Sequence, residues 1–350
     1  MEREDEGLGF LLRYDSIASY DSGKIRVLDR RIYPEKIEFL TLTTIEECAL
    51  ALKNMVTQSG GPLTFAPLSM ALTAYKYHDA NDEVFKKELE RSSLLLSTSR
   101  PTTSKTIYSL TSKMIDVALK ARQEGRREDE AIRDAVINNN NFRYKKIRKA
   151  ASLLVERFPM NPTLMTQCFG EVVLGMVLKE AKKQKRNVRL FVPETRPYLQ
   201  GARLTSSVSY DMGIDTTLIT DNMASFVMKN ENVDAIFTAS DVITLSGAVC
   251  NKVGTLGLAI LSSYYSIPFY VVGTPNKNIK TEEDITVEMR DGEGVLYAMG
   301  KRTNDLPIKG YYPSFDITPP SLITRIATDI ALFKPEEVAS YFDKGGNASF

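Results

Sequence analysis

The stretch DAIFTASDVITLSGAVCNKVGTLGLAILSSYYSIPFYVV, Asp234 to Val272, decides the fold. An apolar run, Ala235 to Thr238, ends in the polar elbow Ala239-Ser240-Asp241. A loop carrying Asn251-Lys252 follows, then the turn Gly254-Thr255, a helical run to Tyr265 and a second apolar run, Pro268 to Val272. That is a strand, loop, helix and strand, with the polar groups where the first strand ends. In open parallel sheets ligands bind at the carboxyl ends of strands, and helix N-termini attract anions. The chemistry is expected here.

Working outward, apolar runs near Thr163–Thr166, Val188–Val192, Thr216–Thr220, Ala235–Thr238 and Pro268–Val272 alternate with helical patterns. This rhythm specifies an α/β fold with a parallel, doubly wound sheet. Upstream the pattern differs. Short β-rich runs, Ile25–Leu28 and Ile37–Leu42, precede helical patterns at Phe65–Tyr77, Asp82–Leu96, Thr103–Arg122, Glu128–Asn138 and Arg143–Arg157. Before these, Thr43 and Glu46 have capping-box spacing, and Ile45, Cys48, Ala49, Leu52 and Val56 recur at helical intervals, which places Cys48 in a core. The segment FPMNP, Phe158 to Pro162, marks a boundary between a mostly helical N-terminal domain with a small sheet, residues 1–160, and the α/β domain, residues 161–350.

Composition narrows the function. The 350 residues are 43% hydrophobic, and 45 basic residues stand against 44 acidic ones, so no global field recruits nucleic acid or an anionic membrane. The cationic run from Arg143 to Lys149 reads as a solvated face. Three cysteines, Cys48, Cys168 and Cys250, form neither a disulfide framework nor paired metal spacing and fit a reducing cytoplasm. The acidic first residues lack the order of a signal peptide, and the greasiest run, Val253–Val272, is interrupted by serines and Pro268, so no membrane span is expected. His78, the one histidine, argues against a multi-histidine metal site and reads as an exposed residue at a helix end. There is no GxGxxG and no P-loop, so a dinucleotide cofactor is not supported.

Three strand ends carry unusual residues: Gln167-Cys168, the segment Glu194–Arg203, and Asp241. Cys168 reads equally as a site thiol or a packed core residue, and Asp241 as a site carboxyl or a cap. Asn251-Lys252 ahead of Gly254-Thr255 reads as an anion cradle, where an ammonium, amides and a helix N-terminus coincide. The breaker Ser59-Gly60-Gly61 reads as a turn, with exposed amides facing a ligand as the alternative.

At these residues a resemblance becomes specific. ETRPYLQGARLT (Glu194–Thr205), TTLITDNMA (Thr216–Ala224), ASDVITLSGAVCNKVGTLGLA (Ala239–Ala259) and PSFDITPPSLIT (Pro313–Thr324) resemble the methylthioribose-1-phosphate isomerase family. That family is related to ribose-1,5-bisphosphate isomerase and to regulatory subunits of the translation-initiation guanine-nucleotide exchange factor. IRVLDRR and TIEECALALKNMV extend the resemblance over nearly the whole chain. It implies a Rossmann-like C-terminal domain, a homodimer, and conversion of an aldose 1-phosphate to a ketose 1-phosphate in methionine salvage, without metal or redox cofactor. It implies Cys168 and Asp241 as catalytic residues. Substrate contacts fall on Ser59, Gly60, Gly61, Arg100, Gln200, Asn251 and Lys252. Ser59-Gly60-Gly61-Pro62 stands where the isomerases carry Arg-Gly-Ala-Pro, so the substrate implied is methylthioribose 1-phosphate or a related pentose phosphate such as 5-deoxyribose 1-phosphate or ribose 1,5-bisphosphate. A non-catalytic sugar-phosphate or nucleotide-binding regulatory protein is the alternative.

Overall fold

The computed structural model describes residues 3–100 and 103–347. They pack as two compact units, residues 3–6 with 10–143, and residues 7–9 with 144–347.

In the first unit, α1 (Tyr14–Ile17) leads into an antiparallel sheet of β1 (Ala18–Asp21), β2 (Lys24–Leu28) and β3 (Phe39–Leu42), with Ile25 opposite Leu42. Helix α2 (Ile45–Lys53) starts one residue later than the Thr43 spacing implies. β3 runs to Leu42, leaving Thr43 as the link and Thr44 as the cap: Glu47 N donates to Thr44 Oγ1 at 3.2 Å and Thr44 N to Glu47 Oε2 at 3.0 Å. α3 (Gly61–Lys76) begins earlier than expected, because Pro62 lacks a donor that the first helical turn does not need. This helix is buried on nearly every side and forms the centre of the unit's core with Cys48, Leu52, Phe85 and Leu89. α4 (Asp82–Thr98) and α5 (Ser104–Gln123) pack beside it.

The last two expected helices are one, α6 (Glu128–Val155). The asparagine tract between them, Asn138–Asn141, does not break it because tertiary hydrogen bonds hold it: Thr64 Oγ1 donates to Asn140 Oδ1 at 3.1 Å and Tyr14 Oη to Asn141 Oδ1 at 2.8 Å. Arg143 and Lys146 are buried, not on a solvated face. Lys146, Ile147 and Ala150 line a small cavity with Val272, Gly273, Thr274 and Asp329, which is why the final turns of α6 belong with the second unit. His78 also departs from expectation: its Nδ1 lies 2.6 Å from the buried Glu128 carboxylate.

The second unit is α/β. Its sheet contains β4 (Thr163–Thr166), β5 (Arg189–Pro193), β6 (Asp215–Ile219), β7 (Ala235–Thr238), β10 (Phe269–Val272), β16 (Arg325–Ala327) and the short β17 (Leu332–Phe333). The order is β17-β16-β10-β7-β4-β5-β6, parallel throughout except β16 against β17. Helices α7 (Val172–Lys183), α8 (Ser206–Asp211), α9 (Ala224–Asn230) and α10 (Thr255–Tyr264) connect the strands. The chain lays β4, β5 and β6 outward in one direction, then returns to place β7 on the other side of β4. The winding reverses between β4 and β7, and at such a switch the carboxyl ends of the strands open into a crevice. β8 (Val242–Ile243), β9 (Val249–Lys252) and β15 (Phe315–Thr318) form a small sheet beyond that rim. Two short ladders pair β11 (Met289–Arg290) with β14 (Tyr312–Pro313) and β12 (Tyr297–Ala298) with β13 (Lys301–Arg302). Among the described residues no helix is long and apolar enough to cross a membrane.

Candidate active site

Cys168 and Asp241 follow the paired ends of β4 and β7, the two strands at the switch. Cys168 turns the chain out of β4 with a left-handed backbone (φ 58°), a conformation that is strained for a residue with a β-carbon. The surroundings hold it there: Cys168 N donates to Thr195 Oγ1 at 3.2 Å, and Thr205 Oγ1 donates to the Cys168 carbonyl. Thr195 is itself left-handed (φ 62°) and is fixed by Asp221, whose carboxylate accepts from Thr195 N at 2.8 Å and Arg196 N at 2.7 Å. Asp241 is anchored through its amide, which donates to the Cys250 carbonyl of β9 at 3.0 Å. Among the described residues its carboxylate accepts no hydrogen bond.

Electrostatics link these groups to Lys252. Burial pushes the Cys168 thiol up to about 11, with the Lys252 ammonium pulling it back and the Asp241 and Asp221 carboxylates adding to the rise. Burial also raises the Asp241 carboxyl, opposed by Lys252 and Arg290. Solvent still touches both, since Cys168 is half-buried and Asp241 exposed by surface. The protein around both strips hydration, and the water that still reaches them moderates the shifts. Lys252 is more enclosed, at 6% exposure, and burial lowers its pKa. Its Nζ sits 4.7 Å from the centre of the Phe315 ring, and among the described residues it makes no ion pair.

The other expected contacts have distinct places. Asn251 is buried, and its Nδ2 donates to Thr238 Oγ1 at 2.8 Å and Thr255 Oγ1 at 3.0 Å, so it braces β9 against β7 and α10. The Gly254-Thr255 turn is not an open anion cradle. Asp316 of β15 already occupies it, accepting from Gly254 N at 2.6 Å and Leu256 N at 3.1 Å, so the protein supplies its own anion to the α10 N-terminus. Gly254 is required there: its φ is 101°, and a β-carbon would lie 2.8 Å from Gln167 Nε2. Gln200 precedes the π-helical turn Gly201–Thr205, and its Oε1 is buried without a partner among the described residues.

Ser59, Gly60, Gly61 and Arg100 lie in the first unit, where the structure brings them together. Arg100 Nη1 donates to the Thr57 carbonyl at 3.4 Å, beside the loop. Ser59 is exposed with φ 55°, and Gly60 caps α3 without a side chain. Sequence reading missed Arg30, fully buried beneath this loop, whose Nη1 donates to the Gln58 carbonyl at 2.7 Å. It also missed Arg290, opposite Tyr312 in the β11–β14 ladder, with Tyr198 against both. The quoted motifs contained Arg30 and Tyr198 and held Asp316, but nothing in them marked contacts made across long separations. Among the described residues no group of His, Cys, Asp or Glu is arranged to hold a metal ion.

The comparisons agree with this architecture. Over 323 residues the chain is 31% identical to the 5-deoxyribose 1-phosphate isomerase of Petrotoga mobilis, covering 87% of this chain and 91% of that protein. The crystal structure of 5-methylthioribose 1-phosphate isomerase from Pyrococcus horikoshii OT3 superposes with a TM-score of 0.80 at 26% identity, covering 94% and 95% of the two chains. Translation initiation factor eIF-2B subunit delta from A. fulgidus gives 0.79 at 26% identity, covering 92% and 96%. The model of the initiation factor 2 subunit family matches residues 64–335, and the chain belongs to that family.

Proposed function

We propose that the protein is an aldose–ketose isomerase of a pentose 1-phosphate, with S-methyl-5-thioribose 1-phosphate as the leading substrate and its 5-thioribulose 1-phosphate as product. The observation that carries this reading is Lys252: a buried ammonium without an ion pair among the described residues, coupled to Cys168 and Asp241 at the sheet's switch point. Such a cation suits a phosphate, and the relatives named for 5-deoxyribose and methylthioribose 1-phosphates support the class. Gln200, Asn251 and, from the first unit, Ser59, Gly60, Gly61 and Arg100 are the remaining proposed contacts, with Asn251 acting through its bracing of β9.

A sugar phosphorylated on its anomeric oxygen cannot open as a free sugar does. Asp241, whose pKa burial raises, acts in its protonated form and gives its proton to the ring oxygen as the bond between C1 and that oxygen breaks. The hydrogen on C2 moves to C1, and Asp241 recovers a proton from the C2 hydroxyl as that carbon becomes a ketone, so atoms and charge balance. A thiol near 11 is a poor base at neutral pH, which favours a direct hydride shift with Cys168 as a neutral polar neighbour. General acid–base help of this kind contributes roughly 10²–10⁴-fold.

The reading places the enzyme in methionine salvage, in the cytoplasm, where three free cysteines stay reduced. It takes a second copy of the chain as partner, for which the exposed Leu218, Met223 and Phe226 beside the β6 edge are the candidate surface. Turnover of both pentose 1-phosphates by wild type and Asp241→Asn tests the chemistry, with conversion expected only for wild type. Run in D₂O, a hydride shift leaves C1 of the ketose free of solvent deuterium. Binding without conversion by wild type would overturn the enzyme reading in favour of a regulatory sugar-phosphate binder.

A further inference from the structure

Polar atoms of the second unit that lack a hydrogen-bond partner among the described residues include Gln167 Oε1, next to Cys168, Gln200 Oε1 and Tyr312 Oη. Tyr312 is the hardest to explain as packing. It is 4% exposed, lies opposite Arg290 in the β11–β14 ladder, and its ring centre is 6.0 Å from that of Tyr198. The Arg290 guanidinium approaches Tyr198 at 5.7 Å and is itself paired with Glu288 at 3.1 Å. A buried phenol without a partner destabilises a fold, and phenylalanine would fill the same space without that penalty. Burial, Tyr198 and Cys168 raise the phenol to about 12 against the neighbouring Arg290 guanidinium, which pulls on the oxygen without completing a hydrogen bond of normal geometry to it, so at neutral pH the phenol remains an O–H donor.

We propose that Tyr312 is a substrate-binding residue whose hydroxyl donates a hydrogen bond to a sugar oxygen beside Cys168. The proposal rests on the pentose-phosphate reading. Reaching the hydroxyl requires a neighbour to move, and Tyr198, 41% exposed, is the ring with room to do so. Thr195 and Leu199, both left-handed at φ 62° and 57°, bracket Tyr198 in the chain. Binding would therefore displace Tyr198 and satisfy an atom that the protein leaves unmatched.

The test is Tyr312→Phe, which keeps the ring and removes only the oxygen. The expected result is a melting temperature equal to or above wild type, with kcat/KM for 5-deoxyribose 1-phosphate or its methylthio counterpart lowered tenfold or more. A purely structural hydroxyl gives the opposite: a lower melting temperature with kcat/KM within twofold of wild type. Unchanged kcat/KM overturns the proposal whatever the stability. If wild type converts neither sugar, the isomerase reading fails separately, and the contact is read from calorimetric binding of 5-deoxyribose 1-phosphate. Tenfold weaker binding by Tyr312→Phe then sustains it, and equal binding overturns it.

Discussion

Replacing Lys252 with methionine tests the centre of the functional argument. Methionine keeps an unbranched apolar stem against Phe315 and removes the charge. If the ammonium holds a phosphate, the lost charge-assisted contact is worth about 1.5–3 kcal/mol, which is roughly 10–150-fold in kcat/KM at about 1.4 kcal/mol per decade. Stability should move the other way. The folded-state pKa of Lys252 lies below its ordinary 10.5, so the charged form is disfavoured in the fold, and at neutral pH it destabilises relative to an apolar side chain. Lys252 also pulls down the Asp241 carboxyl. Without it the Asp241 pKa rises further, the proton donor persists to higher pH, and the alkaline limb of kcat/KM shifts upward. Steady-state kinetics across pH, with thermal melts of both proteins, measure all three effects. A KM and kcat within twofold of wild type, together with a lower melting temperature, would refute the reasoning and make Lys252 a structural cation.

Asp316→Ala removes the carboxylate that closes the α10 N-terminus and should destabilise by about 1–2 kcal/mol, with sulfate restoring part of the melting temperature in the variant alone. Gly254→Ala combines a strained φ of 101° with a contact 2.8 Å from Gln167 Nε2, and should cost about 1–3 kcal/mol in denaturant melts; wild-type stability would contradict this. Asp29 is held below the usual carboxylate range first by its hydrogen bond to Arg31, with a 2.6 Å contact, so its stabilisation is present above the unfolded pKa of 3.8 and is lost as pH falls through the lower folded value. Asp29→Asn should therefore lower stability at pH 7, and its difference from wild type should shrink in melts at more acidic pH.

Much of this was legible in the chain. The expected runs match β4, β5, β6, β7 and β10 to within a residue; for the strands inside the sheet this follows because a parallel strand buried on both faces is nearly continuously apolar. The sequence put Cys168 and Asp241 at two strand ends, and the structure sets them after β4 and β7, which pair at the switch. The asparagine tract misled because local propensity favours a break, whereas Thr64 and Tyr14 satisfy those amides from far along the chain. The anion cradle misled for the same reason: Gly254-Thr255 has the local form of one, and Asp316 fills it from a distant strand.

By itself the sequence determined the strand and helix periodicities, the doubly wound class and the polar residues at strand ends, since these depend on side-chain spacing along the chain. Only the tertiary structure decided that β7 lies beside β4, that Lys252 is buried over Phe315 without an ion pair among the described residues, and that Arg290 and Tyr312 meet in the β11–β14 ladder against Tyr198. Those facts depend on which strands pair and on how much water each charge loses, and both are set by contacts between residues far apart in sequence.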